Sequence, residues 1–333
     1  MNVLVTGAAG FIGSTYARML LGSGPTGGPS VCRVTVLDKL TYAGTVDNLD
    51  LSDPRLRFVY GDVCDPGLVG TLMAEADQVV HFAAESHVDR SINAAEDFVR
   101  TNVLGTQTLL DAALRHRVER FVHVSTDEVY GSVETGSRAE PDPLDPNSPY
   151  AASKAASDLI ALSYHRTHGL DVRVTRCTNN YGPRQFPEKI IPLFVTNLLD
   201  GGDVPLYGDG LNRRDWLHVE DHCLGVDLVR VLGRPGEIYN ISGGTELTNT
   251  RLTELLLDAC GADWSRVRHV PDRKGHDLRY SILDDKARDE LGYRPRHDFE
   301  RGLARTVEWY RRNREWWEPL KRRASEAGLS RAL

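Results

Sequence analysis

A chain of 333 residues is too long for one modest core and suits two domains or one enlarged α/β unit. Its formal net charge of −7 excludes general affinity for polymeric nucleic acid, so any anionic ligand has to be met by a local basic pocket. No apolar run approaches the roughly 18 residues of a membrane span, the N-terminus carries no basic leader, and no internal repeat or low-complexity tail is evident.

Five scattered cysteines (Cys32, Cys64, Cys177, Cys223 and Cys260) have no Cys-x-x-Cys spacing. They argue for reduced thiols, no metal site and a cytoplasmic location.

In chain order, Asn2 to Thr6 reads as a strand that runs into Gly7-Ala-Ala-Gly10-Phe11-Ile12-Gly13 and a helix through about Leu21. Gly7 allows a tight turn, Gly10 lets backbone approach a pyrophosphate at the helix N-terminus, and Gly13 lets helix and strand pack closely. After a Gly/Pro-rich connection, Gly22 to Ser30, a second strand from Cys32 ends on Asp38. That acid is placed for the ribose hydroxyls of a dinucleotide and repels a 2′-phosphate, which favours NAD over NADP; Lys39 beside it softens the repulsion. The insertion explains why Asp38 lies further from the glycines than the usual roughly 20 residues.

Leu56 to Tyr60 is a third strand leading to Asp62, read either as an adenine contact or as an Asx turn. Asp77 to Phe82 is the fourth, followed by the small residues Ala83 and Ala84, and by Ser86 and His87, placed for ribose or substrate. Asn102 to His116 reads as an amphipathic helix, and the alternation of strand and helix predicts a doubly wound parallel α/β sheet of Rossmann type.

The apolar run Arg120 to Ser125 leads into Thr126-Asp127-Glu128. Neighbours on a regular strand face opposite ways, so the two carboxyls share one site only if the strand ends at or before Thr126, and that end is expected. Paired carboxyls in a partly dry cleft split their pKa values, leaving one as acid and one as base. Downstream, Ser148-Pro149 caps a helix whose Tyr150 and Lys154, four apart, share a face. An ammonium there favours the phenolate of Tyr150, making it a base for a hydroxyl proton.

Beyond Cys177 the pattern is less regular. Trp216 to Leu232 reads as a strand or turn and a helix that rejoin the first domain, so a smaller, discontinuous mixed α/β substrate domain is expected. Its segments are 181–215 and 241–320, against a NAD-binding domain of 1–180 with a returning segment near 216–240.

Thr6 to Gly13 and Tyr150-x-x-x-Lys154 resemble the extended short-chain dehydrogenase/reductase superfamily. Within it, Asp38 to Gly44, Ala83 to Ser91, Thr126 to Gly131, Asn179 to Pro183, Phe186 to Pro192, Arg213 to Val219 and Asp272 to Tyr280 resemble the dTDP-glucose 4,6-dehydratase family. The resemblance covers nearly the whole chain. It departs from the family's pattern in the long Gly22 to Ser30 linker and in Lys274, where proline is common.

The resemblance implies tightly held NAD, regenerated each turnover, with Thr41, Val63, Thr101 and Asn180 also at the cofactor. It implies catalytic Tyr150, Lys154, Asp127, Glu128 and Thr126, and a nucleotide sugar held by Asn179, Lys189, Ile190, Arg214, Arg273, His276 and Arg279. Pro205 and Tyr207 would flank the base and Asn249 the nucleotide, unless they are ordinary loop residues. Most of the other Lys and Arg, including Lys321 to Arg323, are read as surface charge.

The chemistry so implied is oxidation at C4 by Tyr150 and NAD, loss of water across C5 and C6 through Glu128 as base and Asp127 as acid, and hydride return to C6. A UDP-sugar 4-epimerase or UDP-glucuronate decarboxylase remains an alternative, as does a non-enzymatic NAD sensor. An epimerase has no use for an acid–base pair at C5 and C6. Asn102 to His116 and Tyr150 to Thr167 carry apolar faces that in the superfamily pair two subunits as a four-helix bundle, so a homodimer is expected.

Overall fold

A computed structural model describes residues 1–22, 26 and 31–326. The Gly22 to Ser30 insertion therefore lies, but for Gly22 and Thr26, outside the described residues.

The first strand, β1 (Asn2–Thr6), turns Val3 and Val5 to one face and Leu4 to the other, all three buried. It is followed by α1 (Phe11–Leu21), β2 (Arg33–Asp38), β3 (Leu56–Tyr60), α2 (Pro66–Met73) and β4 (Gln78–His81). Next come α3 (Val88–Asn93), α4 (Ala95–Phe98), α5 (Gly105–His116), β5 (Arg120–Thr126), α6 (Pro149–His168) and β6 (Val172–Cys177). The chain continues through β7 (Asn179–Tyr181), α7 (Ile190–Leu199), β8 (Val204–Tyr207), β9 (Arg213–His218), α8 (Val219–Leu232) and β10 (Ile238–Ile241). It closes with β11 (Glu246–Thr248), α9 (Asn249–Cys260), β12 (Val267–Val270), α10 (Asp285–Leu291), α11 (Phe299–Arg312) and α12 (Arg314–Glu326).

Seven strands form one parallel sheet in the order β10-β6-β5-β4-β1-β2-β3. The doubly wound architecture is therefore the one expected from the alternation of elements. Strand order reverses between β1 and β4, and crevices that take ligands open beyond the carboxyl ends of strands at such a point. Apolar residues of α1 and α8 cover one face and those of α2, α5 and α6 the other, because strands buried on both sides need helices on both.

A third core, with Tyr181, Phe194, Trp216, Leu256, Tyr310 and Trp317, lies among the C-terminal elements. Their strands form a three-stranded sheet β11-β9-β7 and a parallel pair β12-β8. α8 carries the chain back, and β10 pairs with β6.

One helix differs from its sequence pattern. Instead of beginning at Asn102, the helix runs in from α4 through a π turn, Val99–Leu104, and only then becomes α5. The wider turn lets the buried Asn102 side chain clamp the segment after β4. Its Oδ1 accepts from the Glu85 N–H at 2.8 Å, and its Nδ2 donates to the Glu85 carbonyl and the Ser153 hydroxyl. π turns of this kind are frequent at functional sites.

Where α8 begins, the rings of His218 and His297 stack 3.9 Å apart, and His297 lies between Glu220 and Asp221 at 3.2 and 3.0 Å. The two carboxylates push its pKa up to about 9. Ligand atoms of His218, Glu220 and His297 lie within 4.8 Å of one another. The His218 Nδ1 accepts from the Glu220 N–H and both His297 nitrogens face carboxylates, so the group acts as an ionic clasp between α8 and the segment before α11.

Candidate active site

A cavity of about 900 Å³ runs along the carboxyl ends of the central strands and on between β8 and α7. At its floor Gly7 has φ +70°, and a Cβ there would lie 2.5 Å from the Ala83 nitrogen. β1 and β4 thus meet at the switch point so closely that only glycine fits. A Cβ on Gly13 would fall 2.5 Å from the Gly7 carbonyl oxygen, so this glycine sets how close α1 stands to the turn. Asp38, at the end of β2, accepts from the Ala9 and Leu40 N–H groups at 2.9 and 2.8 Å; burial pushes its carboxyl up while these two bonds oppose the shift.

β5 ends at Thr126, and a 3₁₀ turn, Asp127–Tyr130, follows at once. Thr126 caps it, its hydroxyl accepting from the Glu128 N–H at 3.3 Å. Leaving the extended conformation at that residue brings both carboxyls into the wall of one cavity. Asp127 is 3 % exposed and one of its oxygens has no partner among the described residues. Burial and the neighbouring Glu128 push its pKa well up. Burial raises Glu128 too, but Arg273, Lys189 and Arg214 pull the other way. Both carboxyls are thus raised, and only Glu128 has several cations opposing the shift, which makes Asp127 the better placed of the two to hold a proton.

Ser148 caps α6, accepting from the Ala151 N–H at 3.1 Å with Pro149 in the first turn, so Tyr150 and Lys154 both turn to the cavity. The expected charge effect is reversed. Burial and Glu128 push the Tyr150 phenol well up, and Lys154 donates to the Val124 carbonyl at 2.8 Å instead of meeting the phenol. Desolvation outweighs an ammonium that is already bonded to backbone.

Lys189, Arg214, Arg273 and His276 stand along the outer wall with Asn179, whose Oδ1 is buried without a partner among the described residues. Lys189 donates to the Ser86 carbonyl at 2.8 Å, Arg214 lies 4.3 Å over the Tyr280 ring, and Arg273 is 3.4 Å from Asp89. Ser86, His87, Ile190, Pro205, Tyr207 and Asn249 line the same cavity. So do Phe11, Ile12, Lys39, Thr41, Val63 and Ala84, with Thr101 and Asn180.

Three residues are placed otherwise than their sequence reading. Asp62 takes its Asx-turn alternative, accepting from the Cys64 N–H at 2.9 Å, and is absent from the cavity wall. Arg279 faces Glu246, donating to both its oxygens at 2.9 Å, and leaves the wall to Tyr280, since consecutive residues in this extended segment point apart. Lys321, read as surface charge, is in the wall, 2.7 Å from Asp200.

Sequence reasoning missed Tyr280, Glu188 and Tyr42. The Tyr280 hydroxyl donates to Asp277 at 2.6 Å and lies 3.5 Å from Glu128. Glu188, held by Tyr42 at 2.9 Å and 3.7 Å from His87, is pushed by burial up to about 7. All three sit inside the motifs that carry the family resemblance, which was the available signal.

A sequence model described as GDP-mannose 4,6 dehydratase matches residues 4–306. The chain belongs to that family. Among its relatives, a dTDP-glucose 4,6-dehydratase of Streptomyces antibioticus is 71% identical over 323 residues, 97% of this chain and 96% of the relative. The crystal structure of DesIV, a dTDP-glucose 4,6-dehydratase from Streptomyces venezuelae solved with NAD bound, superposes with a TM-score of 0.95. It is 64% identical, covering 96% of this chain and 100% of that one. A UDP-glucose 4-epimerase from Thermotoga maritima, solved with UDP-glucose, has a TM-score of 0.87 at 31% identity, covering 94% and 99%. Fold alone therefore does not separate dehydratase from epimerase in this family; the side chains in the cavity have to. No helix among the described residues is long and apolar enough to cross a membrane.

Proposed function

We propose that the chain is an NAD-dependent nucleotide-sugar 4,6-dehydratase, a lyase that converts dTDP-glucose to dTDP-4-keto-6-deoxyglucose. The observation that carries this reading is the Asp127–Glu128 pair, two neighbouring carboxyls facing one cavity with Tyr150. The names of the relatives support it.

The residues present fit NAD, because Gly7 and Gly13 leave no room for a Cβ and Asp38 closes the cradle beside them. Bound there, NAD takes a hydride and gives it back within one turnover. Tyr150 receives the C4 hydroxyl proton as that oxidation proceeds, with the Thr126 hydroxyl at the same oxygen. Burial favours the neutral phenol, so Tyr150 has to release its own proton to solvent, helped by the Lys154 ammonium, before it can take that of the sugar hydroxyl. Glu128, whose ionised form three cations favour against burial, removes the C5 proton made acidic by the C4 ketone. Asp127, neutral, protonates the departing C6 oxygen. Lys189, Arg214, Arg273 and His276 hold the diphosphate, for which Arg is suited by its paired donors.

Residues 1–180 with the return near 216–240 form the cofactor domain in this reading, and 181–215 with 241–320 the substrate domain. Cys64, Cys177, Cys223 and Cys260 are free thiols, in keeping with a cytoplasmic enzyme. Ile92, Val99, Leu104 and Leu159 are exposed on α3, the π turn and α6, and we assign them to the four-helix bundle of a homodimer. A concentration-independent monomer mass in sedimentation would remove that assignment.

The deciding experiment mixes purified protein, without added NAD, with dTDP-glucose in deuterated water and follows the sugar by NMR. The expected product is a 4-keto-6-deoxy sugar with deuterium at C5. No methyl signal even with NAD supplied, together with conversion of UDP-glucose to its C4 epimer, overturns the reading.

A further inference from the structure

Lys154 is 4 % exposed, and no carboxylate oxygen among the described residues lies within ion-pair distance of its ammonium, which donates to the Val124 carbonyl. One turn further along α6 is Asp158, with no exposed surface at all. Its Oδ2 accepts from Nε of Arg176 on β6 at 2.9 Å, and its Oδ1 lies 3.3 Å from Nε2 of His123 on β5. A wholly buried carboxylate is costly and weak evidence for stability, so its place one helical turn from a catalytic lysine asks for another account.

We propose that Asp158 is a positioning residue for the reaction: its buried charge keeps Lys154 protonated at neutral pH, while Arg176 keeps Asp158 ionised and fixed. The proposal rests on the dehydratase reading for Lys154's role, but not for its charge. The groups facing Lys154 leave Asp158 as the negative charge available. On α6 there is the neutral phenol of Tyr150. From β4 and β5 come His81 and His123, both held neutral by burial, and from β6 the buried thiol of Cys177 and the cation Arg176. Asp127 and Glu128 lie beyond the strand end, across the phenol. Burial drives the Lys154 ammonium down, to about 8 even with Asp158, the first influence opposing it, in place. Without that carboxylate a buried ammonium at neutral pH becomes a neutral amine and can no longer support the phenol's loss of a proton.

The chain's six lysines, Lys39, Lys154, Lys189, Lys274, Lys286 and Lys321, are few enough for NMR titration of protein labelled at the lysine ε-carbons, with Lys154 assigned from Lys154→Met. In Asp158→Asn the Lys154 midpoint is expected to fall by about one pH unit or more, and the alkaline limb of the kcat profile to move down with it. The double variant Asp158→Asn/Arg176→Met separates this from a structural ion pair. If Asp158 acts on Lys154, the double keeps the lowered midpoint. If the pair only holds the fold, the double returns to the wild-type midpoint and the proposal fails. Failure of both variants to give soluble folded protein also assigns the carboxylate to the fold alone and overturns it. Because the titration needs no turnover, absence of activity on dTDP-glucose in wild type would count against the dehydratase reading without touching this one.

Discussion

Asp127→Asn is expected to lower kcat for methyl formation by about 10²–10⁴-fold with the fold intact, and Glu128→Gln by a similar factor. Asn has the shape of the protonated carboxyl but cannot release a proton to the leaving oxygen. Asp127 is suited to that loss because burial and Glu128 hold it neutral. Gln at 128 removes the base and leaves the cations Arg273, Lys189 and Arg214 without the carboxylate they favour. C4 oxidation depends on Tyr150, so both variants should convert substrate to the bound ketose and stall before the methyl group forms. Quenched single-turnover mixtures analysed by NMR check this. A variant that forms methyl product at the wild-type rate would remove that carboxyl from the elimination step.

The largest stability effect is expected from Arg176→Met. It leaves Asp158 as an uncompensated charge with no solvent exposure, and breaking a buried pair on one side costs about 3–5 kcal/mol. The Arg176 guanidinium also lies 4.7 Å over the Tyr130 ring, next to the 3₁₀ turn of the carboxyl pair, so local packing is lost with it. Adding Asp158→Asn should recover most of that cost, since the unpaired charge goes as well. Urea unfolding of the single and double variants measures the difference. Equal midpoints for the two would mean that packing on Tyr130, not the pair, sets the loss.

How far the sequence could be read follows from which forces are local. The strands β1 and β5 were legible because their Val, Leu and Phe runs can only be buried, and the cap at Ser148 because serine and proline satisfy a helix start from within four residues. The end of β5 was legible for a chemical reason, since two carboxyls had to share a site. The π turn at Val99–Leu104 was not, because its cause is Asn102 reaching Glu85 and Ser153, partners far along the chain. Arg279 and Tyr280 show the same limit at single-residue scale. The motif names both, and only the register of the extended segment decides which faces the cavity. The Tyr150 pKa went the other way because spacing reports proximity and says nothing of desolvation.

The place of β10 has a consequence for synthesis. β6 is complete at Cys177, yet its outer edge stays unpaired until Ile241 has been made, about 60 residues later. At elongation rates of roughly 5–20 residues per second, the nascent chain carries an open strand edge for several seconds, the kind of template that recruits another chain. The ribosome-bound intermediate, rather than the finished enzyme, is thus the species that most needs a chaperone. Expression is expected to be most sensitive to translation speed between those two strands.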